Sequence, residues 1–168
     1  MKRLIRILVL LVVISGSINL AYSQNSKKTA RQAAIKNMVD STNFYFSADY
    51  ALPQRGGSKQ LTSTYDVKVT KDSIISYLPY YGQAYLAPDP GTTEGGIKFT
   101  STNFSYKVTH EKKGGWEIII KPKDHDITDW RDVQRMVLNI SPDGYASLSV
   151  VSTNRDPISF QGSIIAKE

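Results

Sequence analysis

The chain has 168 residues, of which 21 are lysine or arginine, 15 are aspartate or glutamate, and none is cysteine. The lack of cysteine excludes disulfides, thiol catalysis, a cysteine-based zinc site and a lipid-modified N-terminal cysteine. Three of the basic residues fall within the first six positions. Without them, the net positive charge of the chain is too small to indicate nucleic-acid binding.

Residues 1–23 have the pattern of a secretory signal peptide. A basic start precedes an uninterrupted apolar run at positions 7–14, and the small residues Ala21 and Ser23 form a cleavage pattern before Gln24. An uncleaved membrane anchor is the alternative, because the uncharged stretch is nominally long enough to span a bilayer. Serine and asparagine in its second half favour cleavage. We therefore predict a periplasmic or secreted protein with no stable membrane span after signal cleavage.

Residues 24–42 are predicted to contain one helix. Its apolar residues recur at the spacing of one broad helix face. They are Ala30, Ala34, Ile35, Met38 and Val39. We expect this helix to cover one side of a sheet.

Residues 43–168 are predicted to form an antiparallel β domain that makes a single domain with the helix. Apolar and polar residues alternate in seven segments, which is typical of strands with one buried and one wet face. The segments are FYFSADY, YDVKV, NFSYKVT, GWEIIIK, RMVLNI, YASLSVV and ISFQGSII. In the first segment, alternation places Phe44, Phe46, Ala48 and Tyr50 on one face.

Three turn signals indicate hairpins between consecutive strands. Gly114 and Gly115 separate one pair of alternating segments, Asp143 with Gly144 separates another, and the turn TNRDP joins the last pair. Strands joined in this way form a meander, and a sheet of about eight strands must curl or close. The sequence therefore predicts a mainly β (α+β) fold. It is a curved antiparallel meander sheet or open barrel of about eight strands with one N-terminal helix.

The stretch SYLPYYGQAYLAPDPG, residues 76–91, is the strongest candidate for a functional site. The connection at 79–96 is long and has no periodic pattern, and such connections are usually functional or mobile. Tyrosine is an amphipathic contact residue that costs little side-chain entropy to fix. The candidates for ligand or partner contact are Tyr77, Tyr80, Tyr81 and Tyr85.

A structural role for these tyrosines is the alternative, in which they close the end of the barrel. Adjacent residues in an extended segment point in opposite directions. One of Tyr80 and Tyr81 is therefore expected to pack inward, and the other to face solvent.

An acidic cluster and two histidines are the remaining candidates for chemistry. The cluster consists of Asp124, His125, Asp126, Asp129 and Asp132. It lacks the glycine and the distal glutamate of a calcium-binding hand, so it indicates a solvated loop and no metal site. The chain also lacks a nucleophile elbow and a phosphate-binding glycine loop before a helix. We therefore expect a protein without enzymatic activity, catalytic residues or cofactors.

Several segments resemble a known family. YDVKVTKDSIISYLPYYGQAYLAP, GGIKFTSTNFSY, KKGGWEI and VVSTNRDPISFQGSI are similar to the family called domain of unknown function 4251. These are exported proteins of Gram-negative bacteria. The resemblance implies export and a single domain, and it brings no activity, ligand or catalytic residue.

Two functions are consistent with these observations. The first is an exported binding protein whose curved sheet holds an apolar or lipid-like ligand beneath a tyrosine-rich rim. The second is a module that contacts an envelope protein or a glycan through Tyr80 and Tyr81. A core filled by side chains such as Phe46 and Phe160 would argue against the first function. A cavity of several hundred Å³, roughly the usual ligand-pocket size, would favour it.

The signal-peptide pattern predicts a mature N-terminus at Gln24, to within about two residues. N-terminal sequencing of the protein recovered from its host is the measurement. Recovery of an intact Met1 in the membrane fraction would contradict the prediction.

Overall fold

The computed structural model describes residues 27–86, 95–112, 114–124, 129 and 132–166. The predicted signal peptide lies outside these residues. The chain divides into two compact units, residues 1–34 and 35–168. A helix, α1, spans residues 27–41. Within the part that the structure describes, every helix is too short or too polar to cross a bilayer.

The larger unit is built on one antiparallel sheet. Its strands are β1 (Phe44–Pro53), β2 (Lys59–Gln60), β3 (Asp66–Val69), β4 (Ile74–Leu78), β5 (Ile97–Ser101), β6 (Phe104–His110), β7 (Trp116–Pro122), β8 (Arg135–Ile140), β9 (Tyr145–Val151) and β10 (Ile158–Ile165). They lie in the order β5-β4-β3-β1-β10-β9-β8-β7-β6, and β2 pairs with β1. The predicted mainly β, barrel-like fold with one helix near the N-terminus is confirmed, although the sheet has 10 strands instead of about eight.

The two edges of the sheet meet at one corner of the chain. Strands β5 and β6 are the outermost strands, yet only Thr102 and Asn103 separate them in sequence. The exposed Asp124 carboxylate holds this corner, because it accepts hydrogen bonds from Ser101 Oγ at 2.5 Å and from the two amides at 3.0 and 3.3 Å. These bonds, led by that of Ser101, lower the pKa of Asp124. The result is a sheet that is nearly closed.

The predicted alternation describes the inner face of the sheet. Its side chains are at most 7% exposed in β7, β8 and β9. They are Trp116, Ile118, Ile120, Met136, Leu138, Ile140, Ala146, Leu148 and Val150. A side chain that bordered a water-sized void would retain accessible area, so the inner face of these three strands is packed. On the same face of β6, Phe104 and Tyr106 are only partly buried.

Helix α1 contributes to this core through its second half. Ile35 and Val39 are buried, and Met38 packs partly against the core. Within the first unit, Ala30 and Ala34 are exposed. The apolar face predicted for the helix is therefore confined to its last two turns.

A β-bulge in β1 changes the predicted facing of one residue. Ala48 pairs with Gly162, and Tyr50 pairs with the preceding Gln161, so Asp49 is an extra residue in β1. Because the bulge reverses the alternation, Ala51 is buried and Tyr50 is exposed. The prediction that Tyr50 shares the inner face with Phe44 is therefore wrong.

The bulge depends on the absence of a side chain at Gly162. A Cβ placed there would lie 1.9 Å from the backbone oxygen of Ser47. We expect Gly162→Ala to destabilise the protein by about 3 kcal/mol, because β1 would have to move away from β10. The melting temperature measured by circular dichroism should fall by about 10 °C.

Gly95→Ala is the matched control for this substitution. A Cβ at Gly95 meets nothing within 4 Å, so this variant should unfold like the unaltered protein. Equal melting temperatures for the two variants would show that the bulge tolerates a side chain.

Candidate functional site

The tyrosine segment, defined here as residues 79–86, begins where β4 ends and crosses to the β9–β10 connection, residues 152–157. Pro79 has no amide hydrogen and so ends the regular pairing after Leu78. Ala84 then forms an isolated antiparallel bridge with Arg155. The amide of Tyr85 donates to Asn154 O at 2.8 Å. The segment is therefore joined to a part of the chain about seventy residues away.

A buried carboxylate, Asp156, fixes the middle of the tyrosine segment. Its backbone amide donates to Gln83 O at 2.9 Å, and its Oδ2 accepts from the Gln83 amide at 3.3 Å. Its Oδ1 accepts a short hydrogen bond from the Tyr85 hydroxyl. That bond is the main cause of a lowered pKa for the Asp156 carboxyl and of a raised pKa for the Tyr85 hydroxyl. Both shifts favour the ionised carboxylate beside a neutral phenol.

A buried guanidinium, Arg155, lies next to this carboxylate in sequence. Its Nη1 donates to the backbone oxygens of Gly95 and Gly96 at 3.0 and 3.4 Å. Its Cζ lies 4.8 Å from the centroid of the Tyr80 ring, which is within cation–π range. Because Gly95 and Gly96 immediately precede β5, Arg155 connects both ends of the β4–β5 connection.

Tyr80 is held by its hydroxyl group as well as by its ring. The hydroxyl oxygen lies 2.9 Å from Gln83 O and 3.1 Å from Asp156 O, both of which are acceptors. Burial is the main cause of the raised pKa of Tyr80. The side chain folds back over Gly82, where a Cβ would lie 2.5 Å from the Tyr80 hydroxyl oxygen. A side chain at position 82 would therefore displace the Tyr80 hydroxyl from its two acceptors.

The four predicted site residues fall into two groups. Tyr80 and Tyr81 are half-buried and pack against the core, whereas Tyr77 is 46% exposed and Tyr85 is 60% exposed. The expected inward–outward split of Tyr80 and Tyr81 is not observed. Pro79 and Gly82 bend the backbone, so the opposite facing of a straight strand does not apply.

Lysine ammonium groups lie over the rings of this surface. Lys98 Nζ is 4.6 Å from the centroid of the Tyr77 ring, and Lys59 Nζ is 5.4 Å from that of Tyr81. The Tyr77 ring also stacks on Tyr65, with centroids 5.8 Å apart and planes at 17°. We call these five residues, together with the exposed Tyr85, the tyrosine–lysine face. It presents aromatic surface beside positive charge.

Two residues of this site were missed by the sequence analysis. Arg155 and Asp156 occur in TNRDP, which was interpreted only as a turn. Two adjacent opposite charges before a proline, in a stretch otherwise without charge, were the available signal. The distance in sequence to the tyrosine segment hid their role.

Some residues of the acidic cluster have structural roles, and others lie outside the described residues. Asp124 holds the β5–β6 corner. Asp132 is buried, and its Oδ2 accepts from the Thr153 hydroxyl at 2.6 Å. His125 and Asp126 lie outside the described residues. Among the residues that are described, no group of three His, Cys, Asp or Glu side chains is arranged to hold a metal ion.

Comparison with known proteins gives a family and a fold. A family model described as Domain of unknown function (DUF4251) matches residues 26–164. The crystal structure, at 1.95 Å resolution, of a DUF4251 family protein from Bacteroides eggerthii DSM 20697 is similar, with 16% sequence identity and a TM-score of 0.59. The match covers 82% of this chain and 88% of that one, and at this identity it shows the fold alone. No curated protein matches the chain.

The lowered pKa of Asp156 predicts a pH-dependent contribution to stability. A carboxyl group with a lowered folded-state pKa stabilises the fold above its unfolded pKa of about 3.9, and the contribution is lost as the pH falls through the folded value. We expect Tyr85→Phe, which removes the main cause of the shift, to lower the free energy of unfolding at about pH 7 and much less at about pH 2.

Urea denaturation of Tyr85→Phe at both pH values is the measurement. Tyr77→Phe is the control, because no hydrogen bond of its hydroxyl group is found within the described part of the chain. A loss of stability in Tyr85→Phe that does not change with pH would exclude the Asp156 carboxylate as its cause.

Proposed function

The chain belongs to the DUF4251 family, whose description assigns no activity, and we propose that it is a non-catalytic interaction module of the cell envelope. Its contact surface is the tyrosine–lysine face, and its partner is a protein with an acidic patch. Residues 1–23 support export to the periplasm or the exterior. The observation that carries the proposal is the presence of a lysine ammonium over each of two partly exposed tyrosine rings.

The packing of the sheet supports this function over an apolar-ligand carrier. A carrier needs a cavity of several hundred Å³, roughly the usual ligand-pocket size. Phe44, Phe46 and Phe160 are fully buried, and with the inner side chains of β7 to β9 they fill this part of the described core. This packing favours a contact on the outside of the sheet.

The composition of the tyrosine–lysine face supports a protein partner with negative charge. Tyrosine is enriched among the residues that contribute most to binding at protein interfaces. Lys59 and Lys98 add positive charge, which accelerates association with an acidic surface. Tyr85 is 60% exposed, and its hydroxyl group is already oriented by Asp156.

The rigidity of the tyrosine segment also supports a binding role. Binding costs less when the contact residues are already ordered in the free protein. The Gln83 amide donates to the Asp156 carboxylate, and the Tyr80 hydroxyl donates to Gln83 O. With the bridge between Ala84 and Arg155, these bonds order the segment before any partner is present. The same bonds occupy the groups that could otherwise perform acid–base chemistry, which supports a non-catalytic role.

A photo-crosslinking experiment in the host tests the proposal. The amino acid p-benzoylphenylalanine at position 77 should yield a discrete crosslinked protein, whereas the same group at the exposed position 107 of β6 should not. The double substitution Lys59→Glu with Lys98→Glu should reduce the yield at position 77 roughly tenfold, because it reverses the charge that faces the partner.

The matched control is the double substitution Lys107→Glu with Lys121→Glu, which changes two exposed lysines that are not part of this face. Unchanged melting temperatures for both double variants would separate binding from folding. Equal crosslinking yields at position 77 in the two double variants would contradict an acidic partner at the tyrosine–lysine face. Native mass spectrometry of host-purified protein provides the alternative outcome, since a retained lipid-like mass would support the carrier function instead.

A further inference from the structure

A groove of about 580 Å³ lies on the outer side of β8, β9 and β10, separated from β3 to β5 by β1 in the order of the sheet. Outward side chains from the three strands form a row across it. Asn139 pairs with Ser147, and Ser147 pairs with Gln161. We propose that this groove binds a neutral saccharide, and that the row supplies the hydrogen bonds.

The row has unused capacity for hydrogen bonding. No hydrogen bond of the Asn139, Ser147 or Gln161 side chains is found within the described part of the chain, and all three are at least partly exposed. The Ser141 hydroxyl in the groove wall is buried and has no hydrogen-bond partner among the described residues. Amides and hydroxyls can both donate and accept, as sugar hydroxyls do.

The spacing of the row suits an extended ligand. Neighbouring strands are about 4.8 Å apart, so the two amides lie roughly 10 Å from each other with a hydroxyl between them. One sugar ring reaches both amides only end to end, with one hydroxyl for each, whereas two linked rings can also contact the hydroxyl between the amides. The geometry therefore favours an oligosaccharide over a monosaccharide.

The charge of the groove favours a neutral ligand. Its described lining has one carboxylate, Glu111, and no lysine, arginine or histidine. The tyrosine–lysine face differs, since cations lie over its rings. An anionic sugar in the groove would meet the like charge of Glu111.

The edge of the groove supplies an aromatic surface. Tyr145 lines it and is 65% exposed, so its ring is accessible from solvent. The C–H face of a sugar ring is apolar and packs against aromatic rings, while its hydroxyls remain free for the amides. Gly114 and Pro142, from the ends of two hairpins, line the same groove. This combination of aromatic, amide and hydroxyl groups matches the two-sided chemistry of a saccharide.

Backbone-amide NMR titration of the mature protein tests the proposal. The probes are maltohexaose, cellohexaose and xylohexaose, which are neutral, and hexagalacturonate, which is anionic. At least one neutral probe should shift the amide signals of β8 to β10 and bind with a Kd near 1 mM or lower, which corresponds to a binding free energy of about −4.1 kcal/mol. The double substitution Asn139→Ala with Gln161→Ala should raise the Kd of that probe about tenfold.

Gln60→Ala is the matched control, because it removes an exposed amide from β2, outside the groove lining. It should bind the probe like the unaltered protein. Three results would each overturn the proposal: no shift in the groove up to about 10 mM of any neutral probe, equal shifts with hexagalacturonate, or undiminished binding by a folded Asn139→Ala, Gln161→Ala variant.

Discussion

A buried guanidinium needs hydrogen-bond acceptors, and two of those of Arg155 lie at the end of the connection that contains the tyrosine segment. Its Nη1 donates to the backbone oxygens of Gly95 and Gly96, and its Cζ faces the Tyr80 ring. These contacts hold the start and the end of a long connection. Asp156 adds hydrogen bonds to Gln83 and Tyr85 within the tyrosine segment. This pair of adjacent charges therefore fixes the described part of the connection from both sides.

Local patterns in the sequence identified seven of the ten strands but not the details that couple them. Alternation identified the inner faces of β7, β8 and β9, because each strand repeats apolar side chains at every second residue. The bulge at Asp49 could not be predicted, since it depends on Gly162 in a strand more than one hundred residues later. The short β2 was missed for the same reason, because it has only two residues and pairs with the bulged strand.

In the candidate site, too, local residues could be predicted from the sequence and their distant partners could not. The tyrosines could be selected from composition and spacing, and the structure places Tyr77 and Tyr85 at the surface. The residues that anchor them, Arg155 and Asp156, could not be selected, because their partners are 59 to 76 residues away in the chain. Side-chain charge near a turn usually indicates solvent exposure, and only the folded arrangement shows that these two charges are buried.

The central position of the β1–β10 pair has a consequence for how the chain reaches its fold. The first strand of the sheet pairs with the last described strand, and the other strands extend to both sides of this pair. Contacts between residues so distant in sequence form slowly, because a large loop must close first. A chain emerging from its N-terminal end therefore remains without a complete core until β10 is available. Until then it presents unpaired strand edges that a chaperone could bind.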